Sequence, residues 1–383
     1  MIVTKAYKFR MYPNQEQQEL INKTIGCSRF IYNKMLEIKL NNKNKSRFAL
    51  NKEIPKLCEY YSFLKEVDSL VLRCAVKDLS DGYERYLKHQ NEIPHFKKKG
   101  GRNSYRTNLI TSTYKDKEYA NIQVDLDKRV IKLPKLKEIK IRGYRNLSCL
   151  PGRIINATVE KVANKYYVSV VVEENITLEE RQETTAVGID LGVKSLVVTS
   201  DGEFYDNPQY LSKYERKIKG LSRSLSRKQK RSNNYYKAKI KLQEAYRKLG
   251  NARKKYIEEI TAKIIKNNDV IITEKLKVKE MLAKKTNQKR LRKEINNATF
   301  NQIMRILEYK CKWLNKTYYQ VNTYYPSSQI CSNCGNKDTT MKDLSKREYK
   351  CEKCGNEIER DYNASINILI EGLNNIAKER ILN

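Results

Sequence analysis

Three acidic residues stand where the sequence predicts that a buried strand ends or a helix begins. Asp190 closes the apolar segment AVGID, Glu274 follows the apolar segment DVIIT, and Asp361 stands at the start of a predicted amphipathic helix. Taken singly, each has a plain structural explanation as a strand-end turn former, a solvated strand terminus or a helix cap. Taken together, three carboxylates that converge repel one another unless divalent cations neutralise them.

The chemistry that suits such a cluster is phosphodiester cleavage. Oxygen-only ligands favour Mg²⁺ or Mn²⁺, and two such ions about 4 Å apart can activate a water and stabilise the leaving oxygen. Asp190, Glu274 and Asp361 are therefore the predicted metal ligands and catalytic residues of a two-metal nuclease site.

A second constellation consists of four cysteines in two C-x-x-C pairs. Cys331 and Cys334 lie in CSNCGN, Cys351 and Cys354 lie in CEKCGN, and sixteen residues separate the pairs. Tetrahedral zinc takes four thiolates, and the glycine after each second cysteine permits the backbone conformation of the metal-binding turn. Unrelated core thiols would not repeat C-x-x-C-G-N twice. The pattern predicts one structural zinc ribbon, closed to catalysis because all four ligand positions are protein thiolates.

Composition narrows the class of protein. The 383 residues include 78 Lys and Arg against 44 Asp and Glu, a formal charge of +34 spread along the chain, which is typical of a polyanion binder. The start of the chain carries no secretory or lipidation signal, and no run of about 18 apolar residues could span a bilayer. The five remaining cysteines are scattered singly, which argues against a disulfide framework. We expect a cytoplasmic protein.

The hydrophobic periodicity divides the chain into regions. Residues 1–12 alternate like a strand, residues 13–115 are predicted to be helical, and residues 116–180 show the period of two that indicates β structure. From about residue 181 three antiparallel strands are predicted, the second and third joined by the turn signal SDGE.

The rest of the chain alternates between helices and strands. A very basic helical stretch covers about 209–266, NNDVIITEKL is a buried strand, a helix covers about 297–315, KTYYQVNTYY returns as a strand, and a helix ends the chain. The order β-β-β-α-β-α-β-α matches an α/β RNase H-like fold, with the cysteine segment inserted before the last helix. In that fold the first and fourth strands are neighbours and the last helix packs across them, so the three carboxylates would converge.

With these residues and motifs in place, the sequence resembles the TnpB family of insertion-sequence proteins, also called OrfB-type transposases, compact relatives of type V CRISPR effectors. The resemblance runs nearly end to end. It rests on KAYKFRMYPNQEQQELINKTIGCSRFIYNKML, GIDLG, IITEKL, YYPSSQICSNCGN, CEKCGN and ERDYNASINIL.

The resemblance implies an RNA-guided DNA endonuclease with a RuvC domain, in which Asp190, Glu274 and Asp361 fill the catalytic triad. It further implies a transposon-derived guide RNA and a double-stranded target DNA cut beside a short flanking motif. The implied parts are a β-rich, barrel-like wedge domain (1–12 and 116–180), a helical recognition domain (13–115), a RuvC-like nuclease domain (181–326 and 356–383) and the zinc ribbon (327–355). No membrane partner is expected, and the oligomeric state stays open, with a monomer as one option.

The excess charge fits a guide paired with DNA, a dense polyanion recognised through its backbone. Residues 211–260 hold 17 Lys or Arg against 4 Glu and are a candidate for part of that channel, although a solvated helix face is the alternative. Tyrosines interleaved with basic residues, in RSNNYYKAK and NTYYPSSQ, could stack on unpaired bases.

Three other functions compete with cleavage. A nuclease-dead repressor would lack the triad, which this chain retains. A transposase in the strict sense would join DNA ends itself; the tyrosine transposases that pair with this family need a His-apolar-His metal motif, which the two histidines do not form, although strand transfer by the triad is chemically conceivable. A bare zinc-ribbon nucleic-acid binder would not need so long a chain or so complete an RNase H order.

Overall fold

The protein is described here by a computed structural model that forms two compact units, Met1–Ile176 and Thr177–Asn383. The residues that the structure describes are 1–114, 117–144, 146–178, 182–208, 210–278, 280, 299–343 and 345–382. Among these residues, no helix is both long enough and apolar enough to cross a membrane.

The first unit is built on a seven-stranded antiparallel sheet. The strands of this unit, seven in the sheet and two in a separate pair, are β1 (Ile2–Tyr12), β2 (Asn103–Asn108), β3 (Thr111–Tyr114), β4 (Lys117–Ala120), β5 (Gln123–Asp125), β6 (Val130–Leu133), β7 (Lys137–Arg142), β8 (Arg153–Val162) and β9 (Lys165–Asn175). The sheet order is β2-β8-β9-β1-β7-β6-β5, and β3 pairs with β4 separately. Alternate residues of β1 and β9, among them Phe9, Val168 and Val170, point into the core. The predicted strand at the N-terminus thus pairs with the predicted β-rich region across the helical segment, in the register Lys8–Ser169.

Three helices lie between β1 and β2: α1 (Gln15–Asn41), α2 (Arg47–Tyr60) and α3 (Ser69–Leu87). The start of α1 is a capping box in which the side chains of Asn14 and Gln17 each accept from the other's backbone N–H. The inner faces of the helices meet in a core that includes Ile31, Met35 and Leu79.

The helical prediction for residues 13–115 extended too far. The helices end at Leu87, and β2 and β3 occupy 103–108 and 111–114. The segment NSYRTN of β2 is polar, so its own pattern carries little strand signal. It is a strand because it pairs along its whole length with β8 while Tyr105 and Thr107 turn inward.

The second unit is built on a five-stranded mixed sheet. Its strands are β10 (Ala186–Asp190), β11 (Ser195–Thr199), β12 (Phe204–Asp206), β13 (Val270–Glu274) and β14 (Thr317–Val321), in the order β12-β11-β10-β13-β14. Strands β10, β13 and β14 run parallel, whereas β11 and β12 are antiparallel. The first and fourth strands of this unit are therefore neighbours, as predicted. The predicted strand KTYYQVNTYY is shorter than expected, because a turn begins at Asn322.

Among the described residues of this unit, the long helices are α4 (Tyr210–Ser226), α5 (Asn233–Asn267), α6 (Phe300–Trp313) and α7 (Arg360–Leu382). The carboxyl-terminal half of α5 packs with α6 in one core, whereas α4 and the middle of α5 share a small core of their own around Ile218 and Leu249. Helix α7 lies directly on β10: a Cβ at Gly188 would lie 2.2 Å from the backbone oxygen of Ser365. The hairpin β15 (Glu348–Lys350) and β16 (Glu357–Glu359) precedes α7 and belongs to the cysteine segment.

Candidate active site and metal centre

Two of the predicted site residues end neighbouring parallel strands. Ile189 of β10 is in register with Thr273 of β13, so the residues that follow them, Asp190 and Glu274, finish side by side. Both carboxylates are partly buried behind fully buried strand residues. The carboxyl edge of a parallel sheet is where ligand and catalytic groups gather in α/β proteins.

The third residue, Asp361, lies in the first turn of α7, but it does not cap the helix. The backbone N–H of Tyr362 donates to the carboxylate of Glu359 at 2.7 Å, which is the bond that a capping side chain makes. Asp361 instead points toward the turn after β10: a Cβ at Gly192 would lie 3.8 Å from its Oδ2. Its side chain is 16% exposed and forms an ion pair at 3.7 Å with Arg347 of the cysteine segment.

The electrostatics of this corner show that the three acids share one region. Burial, then the carboxylate of Asp361, then that of Glu274, raise the pKa of Asp190 to about 8. Burial raises the pKa of Glu274 to about 7. The backbone N–H of Leu191 and the guanidinium of Arg360 oppose the shift at Asp190 without cancelling it. Protein groups alone thus leave negative charge in this corner under-compensated.

An oxygen-only donor set with excess negative charge fits a divalent cation such as Mg²⁺. Within the described part of the chain, the group of three or more Cys, His, Asp or Glu whose ligand atoms all lie within 4.8 Å is the cysteine cluster. The three carboxylates are spaced more widely than that.

The four predicted zinc ligands come together. Cys331 Sγ lies 3.7 Å from Cys354 Sγ, and Cys334 Sγ lies 3.5 Å from Cys351 Sγ. Sulfurs around a tetrahedral ion with Zn–S bonds of about 2.3 Å are about 3.8 Å apart. The donor set and its spacing therefore fit zinc.

The two cysteine turns repeat one backbone geometry. In each, the N–H of the glycine donates to the carbonyl of the first cysteine, at 2.9 Å for Gly335 and 2.8 Å for Gly355. Both glycines have positive φ, +74° and +70°, as the sequence predicted. The backbone N–H of Asn356 and the side-chain amide of Asn333 lower the pKa of Cys354, which favours a thiolate there, whereas burial and hydrogen bonds with the other three cysteines raise the pKa of Cys334.

The cysteine segment is fastened to α7 through buried amides. The side chain of Asn363 donates to Ile330 O at 2.7 Å and accepts from Ser332 N at 2.9 Å, while the amide of Asn367 donates to Ser327 O and Ile330 O. Both asparagines are almost fully buried. They order the start of the helix from the side of the cysteine segment.

Sequence reasoning missed three charged residues beside the acids. Arg347 pairs with Asp361, Glu359 caps α7, and the guanidinium of Arg360 donates to Asp343 O and Lys346 O at 3.1 and 3.4 Å. None of them lies in a periodic pattern. Their adjacency to Asp361, in sequence or across the β15–β16 hairpin, was the only available signal.

Fold and site together define an α/β protein with a carboxylate cluster at the ends of parallel strands and a four-cysteine insert before the last helix. Residues 167–285 match the model of the OrfB family of IS605-type elements, described as "Probable transposase". Residues 300–368 match the Cas12f1-like TNB domain, and residues 1–45 match a "Helix-turn-helix domain" model of the same OrfB family, although that segment folds here as β1 and α1.

Full-length relatives agree with these matches. The chain is 28% identical to a "Putative RNA-guided DNA endonuclease" of Streptomyces pristinaespiralis, covering 97% of this chain and 90% of the relative. It is 29% identical to "Putative RNA-guided DNA endonuclease InsQ" of Escherichia coli K12, covering 96% and 92%. In fold it is similar to the protein in the "Cryo-EM structure of the Cas12f1-sgRNA-target DNA complex", with a TM-score of 0.56, 14% identity and coverage of 96% and 98%. These matches support a protein of the TnpB type, which the chain resembles over nearly its whole length.

Proposed function

We propose that this protein is an RNA-guided DNA endonuclease encoded by an insertion sequence. Two relatives that match it over nearly their whole length are described as "Putative RNA-guided DNA endonuclease", and residues 167–285 match the OrfB model of IS605-type elements. The observation that carries the proposal is the meeting of Asp190, Glu274 and Asp361 at the end of two parallel strands and the start of α7. A guided binder without nuclease activity would have no use for this cluster.

We assign the second unit to the RuvC type, because its sheet order and final helix follow the predicted RNase H-like arrangement. When bound, Mg²⁺ or Mn²⁺ would supply an activated water and stabilise the leaving oxygen. The role of the chain is to hold that metal: Asp190 and Glu274 from rigid strand ends, Asp361 from the first turn of α7. Arg347 forms an ion pair with Asp361 and so restrains the side chain of the one proposed ligand that comes from a helix.

The four cysteines would hold one structural zinc, with no part in the chemistry. Six residues separate Cys354 from Asp361, and the buried amides of Asn363 and Asn367 fasten the ribbon to the same helix. The metal would therefore fix the direction of Asp361 through the ribbon.

The nucleic-acid partners would be a transposon-derived guide RNA and a double-stranded target DNA beside a short flanking motif. A net charge of +34 supplies the sequence-independent attraction to both. Helices α4 and α5 bury only a narrow stripe against each other, which leaves most of their Lys and Arg available to a phosphate backbone. The first unit would provide the wedge (1–12 and 116–180) and recognition (13–115) parts.

The test is cleavage by the protein purified with its guide RNA. It should cut a plasmid that carries the matched target and flanking motif, and Asp190→Asn, Glu274→Gln and Asp361→Asn should each lower the rate by more than about 100-fold, because each removes a metal ligand. The matched control is Asp201→Asn, an exposed aspartate in the β11–β12 turn of the same sheet. Guide and target affinity should stay within a factor of about three in all four variants.

Two results would overturn the proposal. Cutting that persists in Asp190→Asn, or in chelator without divalent metal, would show that the carboxylates do not do the chemistry. A wild-type complex that binds matched DNA but never cuts it would favour the guided repressor.

A further inference from the structure

The loops that follow β13 and β14 are fastened together just beyond Glu274. Lys275 N donates to Val321 O at 3.1 Å, and Thr323 Oγ1 donates to Lys275 O at 2.7 Å. The loop after β14 therefore has a fixed place beside the strand end that presents Glu274.

The loop after β14 exposes an aromatic ring to solvent. Tyr324 is 77% exposed, and its backbone N–H donates to the side chain of Asn322 at 3.1 Å. A second bond, from Tyr325 N to Asn322 O at 3.0 Å, closes the turn. Packing does not explain the ring of Tyr324, since most of its surface stays wet while the backbone beneath it is fixed.

A cation lies against that ring. Lys277 Nζ donates to Tyr324 Oη at 3.2 Å and lies 5.3 Å from the ring centroid. Its other partner is Glu280, at 3.1 Å, with side chains 41% and 64% exposed. A surface pair of this kind contributes little, so a phosphate can take the place of the carboxylate. The result is a flat apolar face with a positive charge at its edge, next to the carboxylate corner.

We propose that Tyr324 and Lys277 form a platform that positions a single DNA strand for cleavage. The ring stacks on one unpaired base, and the ammonium contacts the adjoining phosphate, the combination by which proteins bind single strands without reading sequence. A duplex does not fit, because its base faces are already covered by their neighbours. The inference rests on the proposed function, since it concerns the strand delivered to the same site.

The first test needs no cleavage. In guide-loaded Asp190→Asn protein, a target carrying 2-aminopurine at successive positions of the displaced strand should show quenched fluorescence at one or two positions. Tyr324→Phe should keep the quenching because the ring remains, and Tyr324→Ala should abolish it. Tyr60→Ala removes a ring that is 82% exposed in the first unit and should leave the signal unchanged.

The second test is kinetic. With otherwise wild-type protein, Tyr324→Ala should raise KM for a single-stranded target by about 5-fold to 150-fold, the range for loss of one stacked base. An abasic site at the quenched position should cause the same loss in wild type and no further loss in Tyr324→Ala. Lys277→Ala should reduce the slope of log affinity against log salt by about 0.7, the share of one phosphate on a single strand, and Lys277→Arg should restore it.

The failures of the two proposals are distinguishable. If Tyr324→Ala matches wild type in both fluorescence and KM while wild type cuts its target, the platform is wrong and guided cleavage stands. If wild type cuts nothing but quenching disappears in Tyr324→Ala, the platform stands and the endonuclease proposal falls.

Discussion

The carboxylate of Asp361 can face the site because the carboxylate of Glu359 caps α7 instead. A helix start offers several unpaired N–H groups, and an acidic residue in the first turn ordinarily satisfies one of them. Here Glu359 accepts from Tyr362, so the carboxylate of Asp361 is free to face Asp190 and Arg347. The sequence named Asp361 as a metal ligand but did not reveal that Glu359 caps the helix, because both acids stand within two residues of the same helix start.

At the opposite end of the five-stranded sheet, Asp269 links the segments that lead into β10, β13 and β14 by hydrogen bonds and an ion pair. Its carboxylate accepts from the backbone N–H and hydroxyl of Thr184 and the hydroxyl of Thr185, and it lies 3.4 Å from Lys316, whose side chain is 5% exposed. Those bonds, led by the backbone N–H of Thr184, lower the pKa of Asp269 to about 2.

The sign of the resulting pH dependence follows from that direction. A carboxyl whose folded pKa is depressed stabilises the protein fully above its unfolded value near 4, and the contribution is lost as pH falls toward 2. We expect Asp269→Asn to lower the free energy of unfolding of the second unit by about 2 kcal/mol at pH 7, and by progressively less below pH 4. Melting curves across that range are the measurement. A difference in unfolding free energy between wild type and variant that did not change with pH would contradict this prediction. The control is Asp206→Asn, which changes an exposed strand-end aspartate.

The contact between β10 and α7 is the element pair on which the site depends. At Gly188 an added Cβ would meet two backbone atoms of the helix, Ser365 O at 2.2 Å and Leu369 N at 2.6 Å, and backbone cannot swing aside as a side chain can. Gly188→Ala should therefore push α7 away from the sheet. We expect a stability loss of about 1–3 kcal/mol or more, and a fall in cleavage of about 100-fold as Asp361 is displaced.

The control for that variant is Gly220→Ala. Gly220 lies within α4, and a Cβ there would meet nothing within 4 Å. Alanine favours a helix over glycine by about 0.8–1.0 kcal/mol, so this variant should be equally or more stable and cut normally. Equal behaviour of the two variants in melting and cleavage assays would show that the close approach at Gly188 does not position the site.

The cysteine segment, which we propose holds zinc, is the second element whose failure can be predicted. Cys351 is buried between Cys334 and Tyr349, and the hairpin around it makes few apolar contacts of its own. We expect one zinc per chain by elemental analysis, and loss of that zinc with at least about tenfold slower cleavage in Cys351→Ser. Cys149→Ser, which changes an exposed lone cysteine, should keep both. Fully active protein without zinc would rule out the structural role.

An element could be predicted from the sequence where its own residues determine its structure, and could not where pairing with a distant segment does. Strands β10 and β13 were predictable because their apolar runs are buried on both faces, and the cysteine ligands because their spacing encodes the metal geometry. Strand β2 was not, since five of its six residues are polar and the segment becomes a strand only through pairing with β8 some fifty residues later. Arg347 was missed for the same reason: its ion pair with Asp361 exists only after the hairpin has folded.

At the scale of the whole molecule, many Lys and Arg side chains of the described residues remain exposed after folding. Lys237, Lys241 and Lys248 form one exposed stripe of α5, at spacings of four and seven residues. If α5 lines the nucleic-acid channel, replacing all three with Gln should weaken guide RNA binding and reduce the slope of log affinity against log salt by up to about 0.7–0.9 for each phosphate that is no longer neutralised. Replacing the same three with Arg preserves the charge and should preserve the slope. A Gln variant with unchanged affinity and slope would show that this stripe is a solvated face, and would move the channel to another surface of the chain.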